Sequence, residues 1–301
     1  MSILVFGSAN IDETYSVPHM VARGETLAAT AVTRRSGGKG LNQAIACARA
    51  GAATSFAGAV GEDGAFLLDE LAAAGVDTAS VRVLADERTG VAVIQNDAAG
   101  DNCILLYGGA NQCITQEHVD EVLAGFGTGD LVVLQNEINM TGKIIEAAHA
   151  RGMQVALNPS PMDERIFDMP LDLLDYVLVN EVEAAQLLGS AAADAVAHAD
   201  WESVASQLAQ RFPDAMVVLT LGGSGSMLIA DGGVVVRQPA RSSEVVDTTG
   251  AGDTFTGFLL ASLMRGEEAK AAMELAAVAA GIAVSRPGAA PSIPTLAECM
   301  K

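Results

Sequence analysis

The chain has 301 residues, half of them apolar and only 4% aromatic, enough to bury a large α/β core. A formal net charge of -20 argues against nucleic acid and anionic membrane as partners. It leaves room for an anionic ligand, because phosphates are held by local backbone N–H groups and not by net charge.

Along the chain, short apolar runs alternate with helical patterns. Residues 3–6 read as a first buried strand, too short and uncharged for a leader. Residues 26–34 are extended and partly alternating, with no helix around them. A strand over 55–60 and a helix over 65–74 follow, then further extended stretches at 89–95 and 103–107. Strands at 131–134, 154–157, 176–179 and 216–219 are separated by helices at 142–151, 182–188 and 204–211. Residues 190–200 are Ala-rich and read as a surface loop or loose helix, and 252–283 as a long Ala-rich helical region. The alternation predicts an α/β protein with a parallel sheet covered by helices on both faces. The stretches within about 11–36 and 88–107 break the rhythm and predict a small secondary sheet that projects as a lid.

Four cysteines (Cys47, Cys103, Cys113, Cys299) are scattered without a CxxC, and the four histidines lack metal-ligand spacing. They read as reduced thiols in a cytoplasmic protein. No apolar run reaches membrane-spanning length.

The strongest chemical signal is Asp247-Thr-Thr-Gly-Ala-Gly-Asp253-Thr-Phe-Thr-Gly257. Gly250, Ala251 and Gly252 lead directly into an apolar helix, so successive backbone N–H groups converge on a hole for an anion. Asp253 falls in the first turn, where a carboxylate is a poor phosphate ligand but a good general base. A lone Asp there would only complement the helix dipole, an effect of about 0.3–1 kcal/mol. The adjoining glycines turn the reading to catalysis. Near the other end, Ser36-Gly-Gly-Lys39-Gly-Leu-Asn42-Gln-Ala opens a helix, and Lys39 is one of only four lysines. Gly follows Lys39, so this is not a P-loop. Asn10 and Asp12, two apart after the first strand, point the same way if the chain stays extended, as a pair of hydroxyl ligands would.

Together with Gly24-Glu-Thr, Thr89-Gly-Val-Ala, Gly108-Gly-Ala-Asn-Gln, Asn158-Pro-Ser-Pro and Asn180-Glu-Val-Glu183, these motifs run in one order from about residue 3 to 294. The chain resembles the ribokinase-like (pfkB) carbohydrate kinases. The resemblance implies a three-layer α/β/α core with a small β-sheet lid, in a single domain over 1–301. It implies transfer of a phosphoryl group from ATP to the primary hydroxyl of a pentose, D-ribose in first place. By resemblance, Asn10, Asp12, Gly38, Lys39, Asn42, Glu137 and Asp253 line the sugar pocket. Asn180, Glu183, Thr220, Gly222, Gly223, Gly225, Gly250, Ala251 and Gly252 follow the nucleotide and its magnesium. Asp247, Thr249, Ala283, Arg286, Gly288 and Ser292 match positions around a monovalent cation, potassium.

Three departures stand out. Arg23 replaces the usual Pro before Gly24, Gly250 replaces an Ala of the anion hole, and Ala277 stands where a larger polar residue often flanks adenine. A nucleoside kinase would want aromatic faces near the N-terminus, where Tyr15 stands almost alone. A sugar-phosphate kinase would want a basic cluster, and only Arg34 and Arg35 offer one. A dinucleotide-dependent dehydrogenase would need GxGxxG after the first strand, where Gly7-Ser-Ala-Asn10 stands. A non-catalytic sensor would not need an intact Asp253 and Lys39. An exposed lid edge needs cover, which predicts a homodimer through the lid.

Overall fold

The computed structural model describes residues 1–99, 101–189, 195–230 and 232–301. The large sheet holds β1 (Ile3–Phe6), β4 (Thr54–Gly61), β5 (Asp77–Leu84), β8 (Leu131–Gln135), β9 (Gln154–Asn158), β10 (Tyr176–Asn180), β11 (Met216–Thr220), β12 (Ser226–Ala230) and β13 (Gly233–Gln238). Its order is β13-β12-β11-β10-β9-β8-β1-β4-β5, parallel from β11 to β5 with an antiparallel pair at the far end. The predicted strands lie within β1, β4, β8, β9, β10 and β11, while β5, β12 and β13 escaped the reading.

Each central strand feeds two cores. Ile3 and Val5 join one cluster of buried side chains while Leu4 and Phe6 join the other, and β8 divides in the same way. That is the period-two alternation of a strand buried on both faces, and it explains the continuous apolar runs. Helices α1 (Lys39–Arg49), α2 (Ala65–Ala73), α7 (Ala251–Met264) and α8 (Ala269–Ala283) cover one face. Helices α3 (Gln116–Leu123), α4 (Thr141–Ala150), α5 (Glu181–Leu188) and α6 (Trp201–Arg211) cover the other. The predicted helical region 252–283 is two helices. Gly266, at φ 80°, ends the first in a left-handed turn that a glycine adopts without strain. Of the Ala-rich segment 190–200, residues 190–194 lie outside the described residues and 195–197 are helical.

The second sheet is small: β2 (Asn10–Ser16), β3 (Ala31–Gly37), β6 (Gly90–Asn96) and β7 (Asn102–Tyr107), in the order β3-β2-β6-β7. It grows out of the core where β1 ends, and β3 returns directly into α1. The chain runs from β1 outward through β4 to β5, then resumes on the other side of β1 at β8. The switch point therefore lies between β1 and β8, and open α/β sheets bind ligands beyond the carboxyl ends of strands there. Ser8, Asn10 and Glu137 occupy those ends. No helix of the described residues is long and apolar enough to cross a membrane.

Candidate active site

The first turn of α7 begins at Gly250, whose φ of 74° suits glycine. A Cβ there would approach the Ala289 backbone to 3.0 Å, whereas Gly252 faces open space. Asp253 is buried, 8% exposed, and α1 holds both of its oxygens. Asn42 Nδ2 donates to Oδ2 at 3.0 Å, and Gln43 Nε2 donates to Oδ1 at 2.9 Å. The two helices approach closely because Gly257 carries no side chain: a Cβ would lie 2.4 Å from Ala46 Cβ and 2.8 Å from Cys47 N.

Lys39 opens α1 and stands between carboxylates. Its backbone N–H donates to Glu137 Oε2 at 2.9 Å, and Ser8 Oγ donates to the same oxygen. Burial alone would lower the Lys39 pKa, yet Asp253, Glu137 and Glu183 together hold it above the usual lysine range. The ammonium therefore stays charged in the cleft. Burial raises the Glu137 pKa against the opposing pull of Lys39 and Ser8.

A cavity of about 240 Å³ lies in front of Asp253, lined by Lys39, Asn158, Glu183, Gly250 and Thr256 among others. A second of about 410 Å³ runs past Gly222, Gly223 and Gly225 to Phe255, Ala277 and Gly281. Asn180, Thr220, Thr248 and Gly252 line both, so the two form one cleft along the ends of β10, β11 and α7. The small residues of α8 open its deep end. Ala277 makes that wall apolar, so no side chain at this position reaches a ligand's polar edge.

Asn10 and Asp12 stand on β2. Asn111, deep behind them, accepts from Ala9 N at 3.0 Å, which turns its Nδ2 toward Asn10 Oδ1 at 2.7 Å. Asn10 is thereby held through its Oδ1. Close approach is required here too: a Cβ on Gly38 would lie 2.9 Å from Asn10 N, and one on Gly37 would strike the Asp12 carboxylate. Burial, with Glu137 adding repulsion, raises the Asp12 pKa to about 7. In the unfolded chain it titrates near ~3.9. A raised folded pKa means stability that is fully present at acid pH and lost as pH rises through about 7. Asp12→Asn cannot ionise, so its melting temperature should gain on the wild type between pH 5 and pH 8. Parallel melting curves across that range would contradict the placement of Asp12.

The pfkB family carbohydrate kinase model matches residues 1–296. The chain belongs to the pfkB family of carbohydrate kinases. It is 34% identical to the ribokinase of Haemophilus influenzae over 307 aligned residues, spanning 100% of this chain and 97% of that protein. The ribokinase of Cryptococcus neoformans in complex with ADP superposes with a TM-score of 0.87 at 36% identity, covering 99% of this chain and 98% of that one. The ribokinase of Arabidopsis thaliana, complexed with ribose and ATP, superposes with a TM-score of 0.84 at 30% identity, covering 99% and 97%.

In this carbohydrate kinase the residues expected at a monovalent cation divide into two groups. Asp247 Oδ1 accepts from Thr249 N and Oγ1 at 2.9 and 2.6 Å, and Oδ2 from Gly288 N at 2.8 Å. These three are in contact. Burial raises the Asp247 pKa, but those hydrogen bonds and the charge of Arg35 hold it below the usual carboxylate range. The Ala283 carbonyl is taken by Arg286 N, Ser292 Oγ donates to Ala289 O, and the Arg286 guanidinium turns away to Glu298 at 2.8 Å. Asn180 and Glu183 form a capping box at the start of α5, which fixes both side chains at the cleft. The expected site residues do not include Ser8, Gln43, Asn111 or Gln135, whose hydrogen bonds run to Glu137, Asp253, Asn10 and Gln43 respectively. Gln43 sat in plain view in the Lys39 motif, but its partner lies 210 positions away.

Proposed function

We propose that this kinase transfers the γ-phosphoryl group of ATP to the primary hydroxyl of a pentose, D-ribose in first place. The observation that carries the reading is the position of Asp253: a buried carboxylate in the first turn of α7, opening on a cleft that also holds Lys39. Each Asp253 oxygen accepts one protein hydrogen bond and keeps a lone pair for a hydroxyl proton. Asp253 takes that proton, the sugar oxygen bonds to the γ-phosphorus, and the bond to the bridging oxygen breaks to release ADP. Backbone N–H groups of Gly250, Gly252 and Asp253 and the Lys39 ammonium meet the charge on the transferring oxygens, while the Ala251 N–H is taken by Thr248 O. Asn10, Asp12, Gly38, Asn42 and Glu137 would orient the sugar. The glycines after Thr220 and the apolar end at Ala277 would hold the nucleotide. Asn180 and Glu183 would sit beside a magnesium ion, which would supply neutralising charge to the phosphates. The small sheet would act as a lid that keeps water, the competing acceptor, out.

Substrate choice tests the reading. Asn10 would offer its amide N–H, and a buried donor loses about 1–3 kcal/mol when its hydroxyl partner is missing. D-Ribose should therefore exceed 2-deoxy-D-ribose in kcat/KM by roughly 10- to 100-fold, and Asn10→Met should shrink that ratio by weakening ribose. An unchanged ratio in the variant, or a wild-type preference for the deoxy sugar, would remove ribose from the proposal.

The oxygens of Asp247, Thr249 and the 283–292 segment fit a monovalent cation's preference for hard ligands. That site would brace the turn at Gly250 from behind. Potassium should raise kcat several-fold with little change in either KM. Equal rates in potassium-free buffer, with ammonium and caesium also excluded, would mean the hydrogen bonds alone do the bracing. On the lid, β7 exposes Ile104, Leu105, Leu106 and Tyr107, each more than half accessible. This apolar edge supports pairing of two copies through their small sheets, in a cytoplasmic homodimer.

A further inference from the structure

Gln43 belongs to the Lys39 motif, yet the chemistry above leaves it without a task. It is fully buried, as is Gln135. Gln135 Nε2 donates to Gln43 Oε1 at 2.7 Å, and Gln43 Nε2 donates to Asp253 Oδ1 at 2.9 Å. The direction of this chain is fixed by its end: an ionised carboxylate only accepts, so Gln43 must turn its amide N–H toward Asp253 and its carbonyl toward Gln135. Gln135 must then present its own N–H₂, and its Oε1 is left buried without a partner. It lies where a Cβ on Gly7 would be, 2.3 Å away. Leaving a buried carbonyl unpaired is costly. Asn158 Oδ1 stands at 3.5 Å from Gln43 Nε2 as a weak second acceptor, and Asn158 itself is tied to Leu178 O.

We propose that Gln43, backed by Gln135, is a positioning residue for the catalytic base: it holds Asp253 Oδ1 while Asn42 holds Oδ2, fixing the plane of the carboxylate toward the acceptor hydroxyl. The inference rests on the assignment of Asp253 as base. A general base works only within hydrogen-bond reach of its proton, and small misplacements cost large factors in rate. The charged groups around Asp253 are Lys39 at the start of α1 and Glu137 after β8, with Glu183 of α5 facing Lys39.

Gln43→Met keeps the length and removes the donor. It should lower kcat by roughly 10- to 100-fold with both KM values within about twofold of wild type. Gln43→Glu places a second carboxyl against Asp253, and like charges in a buried site raise proton affinity. The acid limb of its kcat–pH profile should move up by about one unit or more. Gln135→Met should cost less, and Gln43→Met/Gln135→Met should be no slower than Gln43→Met alone, because the two act in series. Gln135→Met carries the test if the Gln43 variants do not fold. Folded variants with wild-type kcat and an unmoved acid limb, alongside an inactive Asp253→Asn, would overturn the positioning role and leave the base assigned. Full turnover by Asp253→Asn would overturn both.

Discussion

Replacing Asp253 by Asn should lower kcat by roughly 10²–10⁴-fold with little change in KM for ATP. The substitution preserves shape, and an amide can still accept from Asn42 or Gln43 through one atom. It cannot take a proton. Electrostatic stabilisation by the α7 N–H groups and Lys39 survives, so a residual rate should remain, as in other enzymes that lose only their base. The nucleotide cavity shares Gly252 but not Asp253, which is why nucleotide binding should be spared. Steady-state kinetics on the folded variant reads this directly. Turnover within a few-fold of wild type would mean the carboxylate serves only the helix dipole.

The second large effect concerns Gly257. Helix propensity alone favours Ala over Gly inside a helix by about 1 kcal/mol, so Gly257→Ala would stabilise an isolated helix. The contact predicts the opposite sign. The new Cβ would meet Ala46 Cβ at 2.4 Å and the Cys47 and Ala46 backbones at 2.8 and 2.9 Å, and backbone atoms cannot swing aside. Overpacking of this kind costs typically 1–3 kcal/mol, which exceeds the propensity gain. The strain also pushes α1 away from α7, and with it Asn42 and Gln43 from Asp253. Gly257→Ala should therefore lose stability in denaturant unfolding and lose activity, and Gly257→Val should do so more severely. A stabilised, fully active Gly257→Ala would show that the helices have room to spare.

Much of this architecture is written in local pattern. Continuous apolar runs such as Ile3–Phe6 and Leu131–Gln135 are visible because strands buried on both faces need no polar alternation. The Gly250–Asp253 run and Lys39 among glycines are visible because special backbone geometry demands special residues. Where the reading fell short, the deciding contacts are distant. The stretch expected over 26–34 is a strand only from Ala31 to Gly37, since its register is set by pairing with Asn10–Ser16. The β12–β13 hairpin lies outside the expected strands, although Asp231-Gly232 separates two apolar runs in the sequence, a common hairpin signal. Gln43 and Gln135 lie 92 positions apart and look like ordinary polar residues until the fold joins them. The same holds for Asn111, whose role depends on a single backbone N–H of Ala9.

The primary hydroxyl of a pentose is the proposed acceptor of the phosphoryl group of ATP. D-Ribose is compared with 5-deoxy-D-ribose, which lacks only that hydroxyl. ADP release is followed alongside phosphorus NMR of the products. One phosphomonoester on the terminal carbon of ribose is expected for each ADP formed, with no sugar-dependent ADP release from the deoxy analogue. Equal ADP release with both sugars, a phosphate on a ring hydroxyl, or no sugar-dependent release with D-ribose would contradict that expectation.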